Sequence, residues 1–135
     1  MRFIRTTIQE NKMATINKKI RQEVYDKYNG HCAYCGQKIE LNKMQVDHFI
    51  PKRWADERYP DREMEDLDVI ENYMPACRRC NFYKNAKDLE TFRYDLTNRL
   101  LNNLRKTFNY QLAMQYGILQ ENIEPVEFYF EKYNK

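Results

Sequence analysis

The sequence has no apolar run long enough to cross a membrane: its longest apolar stretches are a few residues, against the ~20 that a spanning helix needs. Its first residues, Met1-Arg2-Phe3-Ile4-Arg5-Thr6, lack the apolar core of a secretory signal, so the expectation is a cytoplasmic chain with no membrane partner. No internal repeat and no low-complexity segment is present, which leaves an ordinary globular chain of one domain. Histidine is scarce, with only His31 and His48, and no cysteine remains once two pairs are formed. With 135 residues of which 42% are apolar, the core can only be modest, and a thin core calls for a staple.

The cysteines supply one. Cys32-Ala33-Tyr34-Cys35 and Cys77-Arg78-Arg79-Cys80 are two CxxC knuckles 41 residues apart, and together they provide the four thiolates of a tetrahedral structural zinc site. Two disulfides are the alternative, with three possible connectivities, but they suit an exported chain. A redox CxxC would use one pair and leave the other idle. His31 adjoins Cys32 and is a minor candidate to replace a cysteine ligand.

Charge is segregated along the chain. Residues 56–71 carry eight acidic side chains against Arg58 and Arg62, whereas residues 75–87 carry Arg78, Arg79, Lys84 and Lys87 with no acid. The formal net charge of +3 alone says little about a partner. Four zinc-bound thiolates add net negative charge, which Arg78 and Arg79 serve to neutralise. Lys84, Lys87 and Arg53 are the candidate phosphate contacts, with solvated side chains the plainer reading of each. Trp54 is more readily a packed side chain than a base-stacking one, and Tyr34 and Tyr83 are expected to pack around the zinc.

Read in order, residues 1–13 form an N-terminal extension. From about Asn17, Ile20, Val24, Tyr25 and Tyr28 recur at helical spacing, and Asn29-Gly30 stops the helix. After Gly36, a turn and residues 44–46 predict a hairpin whose second strand ends at Asp47-His48, before Pro51. Residues 52–68 predict a surface loop, with the acidic run either shaping DNA entry or only solubilising. Residues 69–74 predict a strand carrying Asn72 and ended by Pro75, followed by a helix over 77–87 with Asn81 and Asn85 on one side. Phe92, Leu96, Leu100, Leu104, Phe108 and Leu112 form a helical stripe up to Tyr116-Gly117. Core packing or self-association as a homodimer would use the same stripe. Residues 126–130 alternate as a short strand. The domain organisation expected is therefore residues 14–92 as the zinc-stapled domain and 93–135 as a helical C-terminal extension packed on it.

A carboxylate beside an imidazole, followed by amides, suits a hard-metal site with a general base. A zinc held by four thiolates has no open position, so it is scaffold. Asp47 and Asn81 offer the oxygen donors that suit Mg²⁺ or Mn²⁺.

The motifs CAYCG, VDHFIP and ENYMPACRRCN followed by Lys84, over residues 32–87, resemble the HNH nuclease family in its zinc-stapled form, with a His-Asn-Asn signature. The LETFR that begins at Leu89 is similar to flanks of small members associated with phages and mobile elements. The resemblance implies an α+β fold with a ββα-metal core, two antiparallel strands and a helix around one metal. It implies that His48 is the general base, Asp47 a metal ligand, Asn72 the residue that orients the His48 loop, and Asn81 the third signature position. Asn85 falls where histidine-rich members place a further ligand. The activity implied is metal-dependent hydrolysis of DNA phosphodiesters to 5'-phosphate and 3'-hydroxyl ends. The rival reading is a non-catalytic zinc-stapled module that binds DNA or protein, which would have no need of Asp47, His48 and Asn81 together.

Overall fold

The first helix, α1 (Lys18–Asp26), begins where the side chain of Asn17 accepts from the Ile20 amide at 2.8 Å, as an N-cap does. It ends at Asn29 and Gly30, with φ of 54° and 79°, a left-handed stop that glycine accommodates. A Cβ on Gly30 would also lie 2.8 Å from the Tyr25 hydroxyl. The computed structural model describes residues 16–52 and 67–133; the N-terminal extension, Arg53, Trp54 and most of the acidic run lie outside the described residues.

Strand β1 (Gln45–His48) pairs antiparallel with β2 (Tyr73–Ala76), with Asp47 opposite Met74 and His48 opposite Tyr73. The partner of β1 thus comes from beyond the acidic run, not from the residues just after Gly36 that the sequence suggests. Near that first knuckle there is only an isolated bridge between His31 and Lys38. Asn72 is also displaced from its expected place: it closes a 3-10 turn (Ile70–Asn72) ahead of β2, and Pro75 lies inside the strand instead of ending it. The Pro75 carbonyl accepts from Ala33 at 2.8 Å. In an extended residue, nitrogen and carbonyl point to the same side, so the missing N–H faces away from β1 and costs the ladder nothing.

Helix α2 (Arg78–Lys84) follows, capped by the Cys77 side chain. It is shorter than residues 77–87 because Asn85 has φ 50° and ψ −126°, outside helical space. These elements form a small α+β fold around a two-stranded sheet. Val24, Met44 and Tyr73 are its buried core, with Ile20, Ile39, Val46 and Ile70 packed on them; full burial of such a side chain contributes ~1.5–3 kcal/mol. Lys27 pins α1 to the sheet by donating to the Ile70 and Tyr73 carbonyls, each at 2.6 Å.

The chain divides into two compact units, one running to Asp88 and resuming at Phe128, the other Leu89–Glu127. The division falls before Phe92, and the final segment belongs to the first unit. Residues 126–130 are not the strand that their alternation suggests. The Tyr129 and Phe130 amides donate to the Tyr34 and Ala33 carbonyls at 3.0 and 2.8 Å, and Tyr129–Tyr133 is a short helix. Alternation reflects packing here: Phe128 and Phe130 both lie against Tyr34, with ring centroids 5.6 and 6.2 Å away.

In the second unit, helix α3 (Leu89–Tyr94), a π-helical turn (Asp95–Arg99) and helix α4 (Leu100–Arg105) are continuous. Helix α5 (Phe108–Gln115) starts at the Thr107 cap. Arg105 and Tyr110 hold Glu121 at 2.6 and 2.7 Å. Along the expected stripe Phe92 is buried, but Leu100, Leu104, Phe108 and Leu112 are exposed. Among the described residues, no helix is long and apolar enough to cross a membrane.

Candidate active site

The four cysteine sulfurs lie within 4.8 Å of one another, and Cys35 and Cys77 Sγ are 3.9 Å apart. A tetrahedral zinc with Zn–S bonds of ~2.3 Å has edges of ~3.8 Å, so the cluster fits that ion, whereas a disulfide needs ~2.05 Å. His31 is outside the cluster; its Nδ1 lies 3.1 Å from the Tyr28 carbonyl and its ring stacks on Tyr129. Without a cation the facing thiols cannot all ionise. A hydrogen bond with Cys80 and backbone donors bring Cys32 down to about 5 against its burial, burial first pushes Cys35 up to about 11, and the bond to Cys32 and then burial hold Cys80 far higher. A divalent ion removes that conflict.

The Cys77 sulfur accepts from the Cys80 amide at 3.4 Å, so the knuckle is itself the start of α2. One turn on, Asn81 joins Asp47 and His48 in lining a pocket of about 260 Å³, which Lys52 and Asn85 also line. A larger groove of about 440 Å³ lies beside the second knuckle, lined by Lys43, Arg78 and Arg79 among others. It contains neither imidazole nor carboxylate, whereas the smaller pocket has both.

Asp47 is only 5% exposed. Its Oδ2 accepts from Tyr34 Oη at 2.5 Å and pairs with Lys84 Nζ at 3.1 Å. Burial pushes the Asp47 carboxyl up, while Lys84 and Tyr34 pull it back. Burial first and the neighbouring carboxylate second hold the Tyr34 phenol well above its usual range, so it remains a donor. Tyr34 Oη and Lys84 Nζ thus both meet the same carboxylate oxygen of Asp47.

Lys84 does not have the phosphate-contacting position expected of it. It is fully buried and also donates to the His48 carbonyl at 3.0 Å. Its four-carbon stem turns inward because the buried Asp47 on β1 needs a counter-charge. Lys87 donates to the Tyr83 carbonyl at 2.9 Å and lies 4.1 Å over the Tyr83 ring.

Residues 32–87 match the family model for HNH endonuclease. This segment is an HNH domain. No curated protein matches the chain. Among solved structures, the Type II-C Cas9 enzyme from Actinomyces naeslundii is similar over 85% of this chain and 13% of its own, at 15% identity and a TM-score of 0.46. The chain thus spans a small fraction of that enzyme's length.

Within the HNH domain, β1 supplies Asp47 and His48 and α2 supplies Asn81, across a zinc-fitted knuckle. Asn72 is 8% exposed and clamps the chain after His48. Its Oδ1 accepts from the Ile50 amide at 2.9 Å, and its Nδ2 donates to the Ile50 and Leu67 carbonyls at 3.0 and 2.8 Å. Three further side-chain roles escape the sequence reading, that of Tyr34 among them, which was expected only to pack around the zinc. Tyr34 holds Asp47, and Asp68 Oδ1 lies 3.0 Å from His48 Nε2 while accepting from Tyr73 Oη at 2.7 Å. Asp68 is one acid among eight in its run; only the strand register, which sets Tyr73 opposite His48, singles it out.

Proposed function

We propose that this chain is a metal-dependent DNA endonuclease, with His48 as the general base and Asp47 and Asn81 holding Mg²⁺ or Mn²⁺. The observation that carries the reading is the single pocket shared by Asp47, His48 and Asn81, presented from a strand and a helix. Oxygen donors from a carboxylate and an amide fit such a cation and leave positions for water and phosphate. Such a metal, when bound, supplies positive charge where the phosphate and leaving oxygen gain negative charge.

The residues do the rest. Neutral His48 takes the proton of the attacking water, a contribution of ~10²- to 10⁴-fold in rate. Asn72 fixes the chain that follows His48 by its three amide bonds to Ile50 and Leu67. Lys84 and Tyr34 hold one Asp47 oxygen so that the other is presented to the pocket. Lys52 in the pocket lining and Lys87 are the cations suited to the DNA backbone, with the Arg53 side of that expectation lying outside the described residues. The zinc is scaffold: with four thiolates it has no open position.

Incubation of supercoiled plasmid with Mg²⁺, Mn²⁺ or chelator tests the reading. Metal-dependent nicks that DNA ligase reseals without prior end treatment are expected, since ligation requires 5'-phosphate and 3'-hydroxyl ends. A zinc-loaded protein that binds DNA with either metal and leaves it intact would make the chain a binding module.

A further inference from the structure

We infer that Asp68 is a positioning residue for this centre: its carboxylate holds His48 in the tautomer with hydrogen on Nε2, leaving Nδ1 as the base. The inference rests on the nuclease reading for its use and on geometry for its substance. Asp68 has a side chain only 5% exposed, and the His48 side chain is 24% exposed. One carboxylate oxygen, Oδ1, meets both His48 Nε2 at 3.0 Å and Tyr73 Oη at 2.7 Å.

A phenol held above its usual range, by burial first and by Asp68 second, brings a hydrogen to that oxygen. Burial would raise the Asp68 carboxyl, but the bonds from His48 and Tyr73 bring it below its ordinary value, so it is an ionised acceptor. An ionised carboxylate accepts only, and the hydrogen between it and the imidazole therefore sits on Nε2. The two ring nitrogens are then fixed in different roles, because which one carries the proton is set by the bond the other makes.

Orientation is fixed as well. Tyr73 faces His48 across the sheet and meets its ring edge-on at 5.2 Å and 85°. The amide of Asn72 bonds the carbonyl of Leu67, the residue before Asp68. One side chain thereby anchors both the chain after the base and the chain that carries its partner. Removing Asp68 frees the ring to take the other tautomer, in which Nδ1 carries the hydrogen and has no lone pair to offer water.

The test is ¹⁵N spectroscopy of the zinc-loaded full chain with labelled histidine, at a pH where imidazole is neutral and without DNA, with His48→Gln assigning the signals. Nicking kinetics under Mg²⁺ are measured beside it. The expected spectrum shows His48 with hydrogen on Nε2 in the native protein and in Tyr73→Phe, and a shift toward the Nδ1–H form in Asp68→Asn. In Asp68→Asn, kcat is expected to fall by about 10-fold or more, a part of the ~10²- to 10⁴-fold that a general base contributes, while KM holds.

A native His48 with hydrogen on Nδ1 overturns the inference without any variant. So does an Asp68→Asn protein with unchanged tautomer, or one with an altered tautomer and native kcat. A native protein that shows the Nε2–H tautomer, loses it in Asp68→Asn and never cleaves DNA would uphold the placement of His48 while removing the nuclease reading.

Discussion

Replacing Lys84 by methionine keeps the length of the side chain and removes its charge, and it decides what this lysine is for. In the native structure Nζ is wholly buried, 3.1 Å from Asp47 Oδ2 and 3.0 Å from the His48 carbonyl. Breaking a buried pair by deleting one partner costs about 3–5 kcal/mol, because the other charge is left uncompensated. Two features of the site bring the figure toward the lower end. Tyr34 still donates to Asp47, and a carboxyl already raised by burial can take up a proton, at about 1.4 kcal/mol for each tenfold change in proton affinity. A loss of about 3 kcal/mol is expected, which for a 135-residue chain lowers Tm by roughly 10 °C. The assay is thermal and urea unfolding of zinc-loaded protein, run as a cycle with Asp47→Asn. Adding Asp47→Asn to Lys84→Met should return part of the loss, because no buried charge then remains. If Lys84→Met unfolds like the native protein and only weakens DNA binding, with a shallower salt dependence, the lysine contacts phosphate and the buried pair has been misjudged.

Chelation of zinc, followed by thiol titration, should release four reactive cysteines together with loss of the folded circular-dichroism signal; a chelated protein that keeps its fold would show that the knuckles do not staple the core. Asn85→Gly should leave stability unchanged or raise it by up to ~1–3 kcal/mol, since φ 50° with ψ −126° strains any residue with a Cβ. Nicking by that variant should match the native rate, and a large loss of cleavage with intact folding would instead make the Asn85 amide a ligand. Gly36→Ala should destabilise by ~1–3 kcal/mol in urea, because φ is 79° and the new Cβ would lie 2.6 Å from Tyr129 Cδ1; a native midpoint would show that the C-terminal segment yields at no cost.

Much of the site was legible because its residues sit at fixed spacing. The CxxC pairs announce a four-thiolate cluster, and Asp47-His48 with Asn81 mark the pocket that β1 and α2 build. The first helix was legible too, since Asn17 caps it and Asn29-Gly30 end it by local conformation alone. What could not be read depends on contacts between distant residues. The partner of β1 lies beyond the acidic run, and nothing local to residues 36–46 reveals that. Pro75 looks like a strand terminator unless one knows that its nitrogen side faces away from β1. Lys84 reads as a surface cation because lysine usually is one; its burial follows from Asp47, 37 positions earlier, needing a counter-charge. Phe128 and Phe130 alternate like a strand, yet it is the aromatic surface of Tyr34 that they answer to.

The most direct test of the central claim is His48→Ala beside the native protein on supercoiled plasmid with Mg²⁺, with zinc content and DNA affinity measured in parallel. Zinc content and affinity are expected to be unchanged, with nicking reduced by ~10²- to 10⁴-fold, the share of a general base. A His48→Ala protein that cuts at the native rate would contradict that claim.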